Sequence, residues 1–215
     1  MYIVRCQAVP RPRSLAPEQL AAAALAVIDR EGLSALSMRS VALELGMGTM
    51  SAYRYVDGRE QLERLVVDLV FSRIELDVPE TLPWTERISV LAERVRLAVA
   101  AHPSVVPLLI LHRHASDGVR RFGETMLGIL AAAGFSGTER VIAFRALVSY
   151  VVGALEMGTL GPLSGAGTNV LAALSPAEYP RLSETARHAR SVPVEPEFRE
   201  GLSLLLEGLK TRLPA

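Results

Sequence analysis

Residues 36–60, LSMRSVALELGMGTMSAYRYVDGRE, constrain this chain more than any other stretch. Ser37 has the hydroxyl of a helix N-cap, which accepts a hydrogen bond from an amide of the first turn. Val41, Ala42 and Leu45 follow at helical spacing, with one face turned to a core. Gly46 comes directly after Leu45, where a left-handed residue ends a helix at little steric cost. Met47 plugs the space between this helix and the next. Thr49 to Tyr55 then gives one to two further turns, with Ala52 and Val56 facing inward. Asp57-Gly58 breaks the run, and Asp57 is placed to cap a third helix. Two short helices joined by a tight turn, the second presenting Thr49, Met50, Ser51, Tyr53 and Tyr55 outward, form a helix-turn-helix. Small hydroxyls and phenols on that face suit phosphates and base edges.

The wider run, from an Ala- and Leu-rich helix through EGLSALSMRSVALELGMGTMSAYRYVDGREQLERLV, resembles the N-terminal domain of the TetR family of bacterial transcription regulators. The likeness covers residues 17–70. It is carried by Glu31-Gly32, Leu36-Ser37, Val41-Ala42, Leu45-Gly46, Tyr53-x-Tyr55-Val56 and Arg59-Glu60-x-Leu62. In the second half, Ala100-Ala101-His102, Gly134-Phe135, and Phe198-x-x-Gly201-Leu202 with Gly208-Leu209 resemble the tetracycline-repressor branch. The resemblance implies an all-α chain with an N-terminal three-helix DNA-binding domain and a C-terminal helical domain that binds a ligand and dimerises. It implies a DNA-facing set of Ser37, Met38, Arg39, Gly48, Thr49, Met50, Ser51, Tyr53, Arg54, Tyr55 and Arg59.

The chain departs from the family pattern in three places. Arg59 stands where lysine is common and keeps the phosphate-facing charge. Ala16 stands where a hydroxyl cap is usual, so the first helix leans on Pro17, whose fixed φ suits a first turn. Leu109 stands where tetracycline-binding members carry a histidine for a metal-chelated drug, which argues against a magnesium–tetracycline ligand.

Each residue also has a plainer reading. Tyr53 and Tyr55 are phosphate contacts or half-buried packing. Arg39 is a phosphate or base contact or a solvated arginine. Met50 touches a thymine methyl or reads nothing, and Thr49 and Ser51 read bases or merely cap the helix.

With 215 residues, half of them hydrophobic, the chain can hold one domain or two modest ones around a sizeable core. Its formal net charge is zero, which gives little nonspecific pull on DNA. Arg39, Arg54 and Arg59 are balanced by Glu44, Asp57 and Glu60 within the motif, so useful affinity requires two half-sites engaged together. The first fourteen residues carry Arg5, Arg11 and Arg13 and no acid, and read as a flexible basic arm that either reaches a minor groove or is only a disordered start. Cys6 is the single cysteine. It forms no internal disulfide, which favours a reducing, cytoplasmic setting. The start lacks the apolar core of a signal peptide, and the Ala-rich run at 21–27 is too short to span a membrane.

The domains are expected at 1–14 (arm), 15–60 (helix-turn-helix) and 61–215 (ligand binding and dimerisation). Helices are expected near 17–31, 38–45, 49–55, 58–76, 84–101, 104–113, 117–133, 138–158, 176–189 and 197–212, with no strands. Residues 158–169, GTLGPLSGAGTN, have the composition of a mobile loop. The helix at 58–76 belongs to both halves and is a natural lever between a ligand site and the DNA.

Catalysis has no visible apparatus. There is no Gly-Lys-Ser/Thr cradle, no Gly-x-Ser-x-Gly elbow and no cofactor motif. His112 and His114 lie two apart and point about 200° apart on a helix, so they cannot share a metal while it continues. His112 fits a pocket contact or a helix-end histidine facing the carbonyl dipole. Trp84, Leu108, Leu109, Phe122, Met126, Tyr150 and Met157 are core residues or the soft lining of an apolar pocket. Glu156, in the apolar run VVGALEMG, is a further pocket candidate, because a buried carboxylate needs a partner. The helices at 138–158 and 197–212 carry more apolar surface than one core needs. Phe144, Leu147, Val151, Leu202, Leu205, Leu206 and Leu209 are therefore expected in a four-helix interface with a second copy. The function these features imply is a homodimeric, ligand-responsive repressor on a near-palindromic operator, with an unidentified small-molecule effector. The rivals are an activator of the same fold and a helical sensor without DNA binding.

Overall fold

The computed structural model describes residues 15–159 and 165–213. The expected arm at 1–14 lies outside them. Among the described residues the fold is all-α, with eleven helices, two 3-10 turns and no strand. The first four helices are α1 (Pro17–Glu31), α2 (Met38–Glu44), α3 (Thr49–Ala52) and α4 (Arg59–Ser72). Then come α5 (Trp84–Ala100), α6 (Val106–Leu111), α7 (Asp117–Ala132) and α8 (Gly137–Thr159), and finally α9 (Ala166–Ala172), α10 (Pro180–Ala189) and α11 (Val194–Lys210). The 3-10 turns are Leu33–Ala35 and Pro103–Val105.

α1 starts without a hydroxyl cap. Pro17 occupies the first turn, and the Ala16 N–H donates to Gln19 Oε1 at 3.0 Å. Its apolar face, from Leu20 to Ile28, is buried against α4, whose Leu62, Val66, Val67 and Val70 are equally buried. α4 also packs on α7. One continuous core therefore runs from the helix-turn-helix into the second half, and α4 is the element that carries it across.

Several helix limits differ from the sequence expectation. The recognition helix was expected to reach Tyr55 but ends at Ala52, and residues 53–55 continue as turns. α4 ends at Ser72, where Ile74 N–H turns back to the Phe71 carbonyl at 3.1 Å. The expected helix at 104–113 is a 3-10 turn followed by the short α6. The expected helix at 176–189 begins only at Pro180, since a proline is tolerated at the first helical position but not inside. Part of the expected loop at 158–169 is helical. Gly158 and Thr159 close α8 and Ala166–Asn169 open α9, while residues 160–164 lie outside the described residues. α11 begins three residues early, at Val194, because Pro196 falls in its first turn.

α9 and α10 pack mainly on each other. α8 is apolar over Gly137–Gly158, with a mean hydropathy of 1.6 in a window of which only 17% is buried. By composition it is long and apolar enough to cross a membrane. Its position between α7 and α11 makes it a wall of the helical half with apolar surface left over.

Candidate nucleic-acid interface and effector cavity

The reading head is held by bonds a few residues long. Ser37 Oγ accepts the Ser40 N–H at 3.0 Å, and Ser40 Oγ accepts the Ser37 N–H at 2.9 Å, a reciprocal cap. α2 closes in a Schellman arrangement: Gly46 N–H donates to Leu43 O at 3.0 Å and Met47 N–H to Ala42 O at 2.9 Å. Gly46 has φ +65°, a conformation that strains any residue with a Cβ. Ala52 is fully buried, and this small contact lets α3 sit close on the motif core. The expected cap at Asp57 is not made. Gly58 is the N-cap of α4, and the Asp57 N–H donates to Gln61 Oε1 at 2.6 Å.

The DNA-facing set divides by burial. Met50 is 80% and Tyr53 49% exposed, at the tip and end of α3. Arg39 and Arg54 are also exposed, and Gly48 is the exposed N-cap of α3. Thr49, Ser51 and Tyr55 are half-buried, Tyr55 against the core. Met38 does not face outward. Its side chain is buried in the core, because it stands three and four residues before Val41 and Ala42 and so shares their inward face. Ser37 is exposed, but its hydroxyl is engaged as the cap. Arg59 is half-exposed and bonded to Glu63 through Nε at 2.7 Å, with Nη2 3.4 Å from the Leu33 carbonyl. Leu43, on α2, is 79% exposed and was not singled out from the sequence. The signal was there, since it lies off the Val41–Ala42–Leu45 face.

Three polar contacts join the reading head and α4 to the second half. His102 Nδ1 lies 2.8 Å from Asp29 Oδ2 of α1. His112, which caps the end of α6, places Nε2 3.0 Å from Glu63 Oε2 of α4. Ser116 Oγ donates to Asp68 Oδ1 of α4 at 2.6 Å, and the Gly118 N–H reaches the same oxygen at 3.1 Å. Burial opposes the ionisation of Glu63, but the hydrogen bonds from Arg59 and His112 outweigh it and hold the carboxyl below the usual carboxylate range. His112 is thus engaged in this junction. Among the described residues no three His, Cys, Asp or Glu side chains gather as metal ligands.

A cavity of about 680 Å³ opens between α5, the Pro103–Val106 turn, α8 and the start of α11. Arg96, Val99 and Ala100 line it from α5. Ser149, Tyr150, Gly153 and Ala154 line it from α8, with Leu155, Met157 and Gly158 beyond them, and Val194, Glu197 and Phe198 close it from α11. The Tyr150 hydroxyl donates to the Phe198 carbonyl at 2.8 Å. Desolvation, reinforced by the charge of Glu197, pushes its pKa up. A Cβ on Gly201 would come within 2.3 Å of Tyr150 Oη, so this glycine gives the phenol its place.

Of the nine residues expected at a pocket, the structure places Tyr150 and Met157 on this cavity. Leu108, Leu109 and Met126 are buried in the core. Trp84 packs edge-on against Phe135 with centroids 5.5 Å apart, and Phe122 against Phe71 at 5.9 Å. Glu156 is exposed, contrary to its expected burial. An apolar pattern does not separate a side chain that fills a core from one that lines a void. The small pair Gly153-Ala154, one turn beyond Tyr150 on the same helix, was the available sign of empty space.

The residues expected at a dimer surface are also displaced. Leu147, Val151, Leu202, Leu206 and Leu209 are buried within the protomer, and Phe144 and Leu205 are half-buried. α8 and α11 are apolar on two faces, and periodicity picked the inward one. The outward one carries Val141, Ile142 and Leu204, the last 76% exposed. Around Ile142, Leu204, Leu205 and Gly208 the surface is hollowed.

The profile of the family described as "Tetracyclin repressor-like, C-terminal domain" matches residues 78–213. The chain belongs to the TetR family. It is 34% identical over 154 residues to the HTH-type transcriptional repressor DrrR1 of Streptomyces coeruleorubidus, which covers 67% of this chain and 54% of that one. It is 26% identical over 208 residues to the HTH-type transcriptional repressor Rv1353c of Mycobacterium tuberculosis, covering 90% of this chain and 80% of the relative. The chain thus spans little more than half the length of DrrR1. ActR of Streptomyces coelicolor in complex with (S)-DNPA superposes with a TM-score of 0.80 at 26% identity, over 93% of this chain and 98% of ActR. In complex with actinorhodin ActR gives 0.79 at 25%, over 92% and 96%. The family assignment joins the reading head and the cavity, found separately by geometry, into one kind of protein.

Proposed function

We propose that this TetR-family chain is a ligand-responsive transcriptional repressor that binds a near-palindromic operator as a homodimer and is released when a small molecule enters the cavity. Two reading heads occupy successive major grooves, about 34–36 Å apart. Arg39, Met50 and Tyr53 are the exposed side chains best placed for base and phosphate contact, with Gly48, Thr49, Ser51, Arg54 and Arg59 around them. The outward faces of α8 and α11, with Ile142 and Leu204, pair with their copies as a four-helix bundle. The unit at 15–60 reads DNA, and the unit from 61 onward senses and dimerises.

The observation that carries this reading is the short segment at 103–111. Pro103 and Val106 form part of the cavity wall. The segment is fastened at one end to the DNA-binding unit, through His102 to Asp29 of α1, and at the other to the shared helix α4, through His112 to Glu63. Glu63 in turn holds Arg59 at the first turn of α4, directly after the motif. A ligand that displaces the wall acts on both anchors at once. For release, it must bind the DNA-incompetent arrangement more tightly than the competent one.

The test is selection of duplexes from a random pool by the purified chain, followed by anisotropy titration across a salt series and sedimentation of the complex. The expected result is salt-sensitive, selective binding of two chains per site, weakened about tenfold or more by Tyr53→Ala. Weak binding without selection from the pool would leave a helical sensor in place of a repressor.

A further inference from the structure

The cavity has two charged lining residues, and their situations are opposite. Arg96 is gripped by Glu93 through two bonds, Nε to Oε2 at 2.7 Å and Nη2 to Oε1 at 2.8 Å. Its guanidinium carbon lies 5.8 Å from the centre of the Phe198 ring. Arg199 reaches the same Glu93 at 3.1 Å and Glu195 at 2.8 Å. Both local arginines are therefore already neutralised. Glu197, half-buried on the α11 wall, has no ion pair among the described residues. The Tyr150 hydroxyl gives its proton to the Phe198 carbonyl, so it offers the cavity an acceptor and not a donor.

We propose that the effector is a lipophilic cation, a flat aromatic or polycyclic body whose positively charged nitrogen sits against Glu197. The inference rests on the cavity being the effector site. Val99, Val106, Ala154 and Met157 supply the apolar walls, where burial of a ring system drives binding. The ring of Tyr150 favours a cation over its face, while the Phe198 ring already carries Arg96. A cationic N–H group gives Glu197 the partner that a half-buried carboxylate lacks. An anionic ligand finds no unengaged guanidinium and meets the charge of Glu197 in a medium where repulsion is poorly screened.

The experiment uses the full chain and three fluorescent probes: the cation rhodamine 123, the anion fluorescein on the same ring framework, and the neutral dye Nile red. Anisotropy titrations are run on the wild type, Glu197→Gln, Glu197→Asp and Gly153→Phe, with thermal melts to verify folding. Gly153 faces open space, so the phenyl ring of Gly153→Phe fills the cavity. Rhodamine 123 is expected to bind more tightly than fluorescein. Glu197→Gln should weaken it about tenfold, Glu197→Asp should largely retain it, and Nile red should be indifferent to both changes. Binding of Nile red that Gly153→Phe abolishes, with no preference for the cation or no loss in Glu197→Gln, overturns the charge assignment and leaves the cavity reading standing. Failure of all three probes, or binding untouched by Gly153→Phe, overturns the cavity reading together with the proposal.

Discussion

In the reading head the determining bonds join near neighbours: Ser37 with Ser40, Leu43 with Gly46, Ala42 with Met47. Around the cavity they join distant ones: Tyr150 with Phe198, and Glu93 with Arg199. The first kind of region is specified wherever its few residues stand, and it can be carried as a rigid piece. The second exists only once four elements have assembled, and its shape depends on what holds them apart. A sensor benefits from the division. On the proposed function, the part that presents a constant face to DNA is locally fixed, while the part that responds to a ligand is held by long-range contacts that a ligand can compete with. The junction between them, on α4, has the character of the second kind.

The largest effect is expected at that junction. A Cβ on Gly118 would lie 2.6 Å from Phe71 Cβ, an atom that cannot swing aside, so Gly118→Ala forces α7 away from α4. A cost of about 1–3 kcal/mol is expected for such overpacking, read as a loss in urea midpoint. The Asp68 bonds to Ser116 and Gly118 should weaken with it. An unchanged midpoint would mean that the close approach of α7 and α4 does not hold the halves together.

The next effect depends on pH. Glu63 has its carboxyl pKa lowered in the folded chain by Arg59 and His112. Its stabilising contribution is therefore complete above the unfolded carboxylate pKa and is lost as pH falls through the folded value. Urea melts of the wild type and Glu63→Gln from neutral to acid pH should show a difference that narrows on acidification. A difference constant with pH would show that Glu63 acts by packing alone. Within the reading head, Ser37→Ala removes a cap worth about 1 kcal/mol. It should raise amide exchange in residues 38–44 while leaving probe binding in the cavity unchanged. Exchange that rises equally around the cavity would erase the contrast between the two regions.

The same contrast explains what could be read from the sequence. Ser37, Gly46, Ala52 and Val56 announce their roles because caps, left-handed turns and small buried contacts act over a few residues. The helical class and the shared role of α4 follow from periodicity and from Leu62, Val66 and Val70 on one face. Arg96 and Glu197 were missed because nothing local to either marks a cavity; they meet only after α5 and α11 pack on α8. The inward side of α8 was expected to be its outward one for a related reason. Leu147 and Ile142 are equally apolar, and only the tertiary placement buries the first and exposes the second.

The smallest effects come from two glycines, Gly153 on the cavity wall and Gly201 against Tyr150. A Cβ on Gly153 of α8 meets nothing within 4 Å, and one on Gly201 of α11 meets Tyr150 Oη at 2.3 Å. Both are helical and neither has a positive φ, so alanine at each recovers the same helix propensity, about 0.5–1 kcal/mol. At Gly153 nothing opposes that gain, and Gly153→Ala should raise Tm by roughly 1–4 °C. At Gly201 the methyl must displace the end of a flexible side chain, which breaks the bond to the Phe198 carbonyl and offsets the gain. Gly201→Ala should therefore be neutral or slightly destabilising, with a Tyr150 phenol that titrates nearer its ordinary value once it leaves its desolvated place. Equal shifts in Tm at the two positions would mean that the phenol is not wedged between α8 and α11, and that the long-range contacts around the cavity are looser than those of the reading head by more than their sequence separation implies.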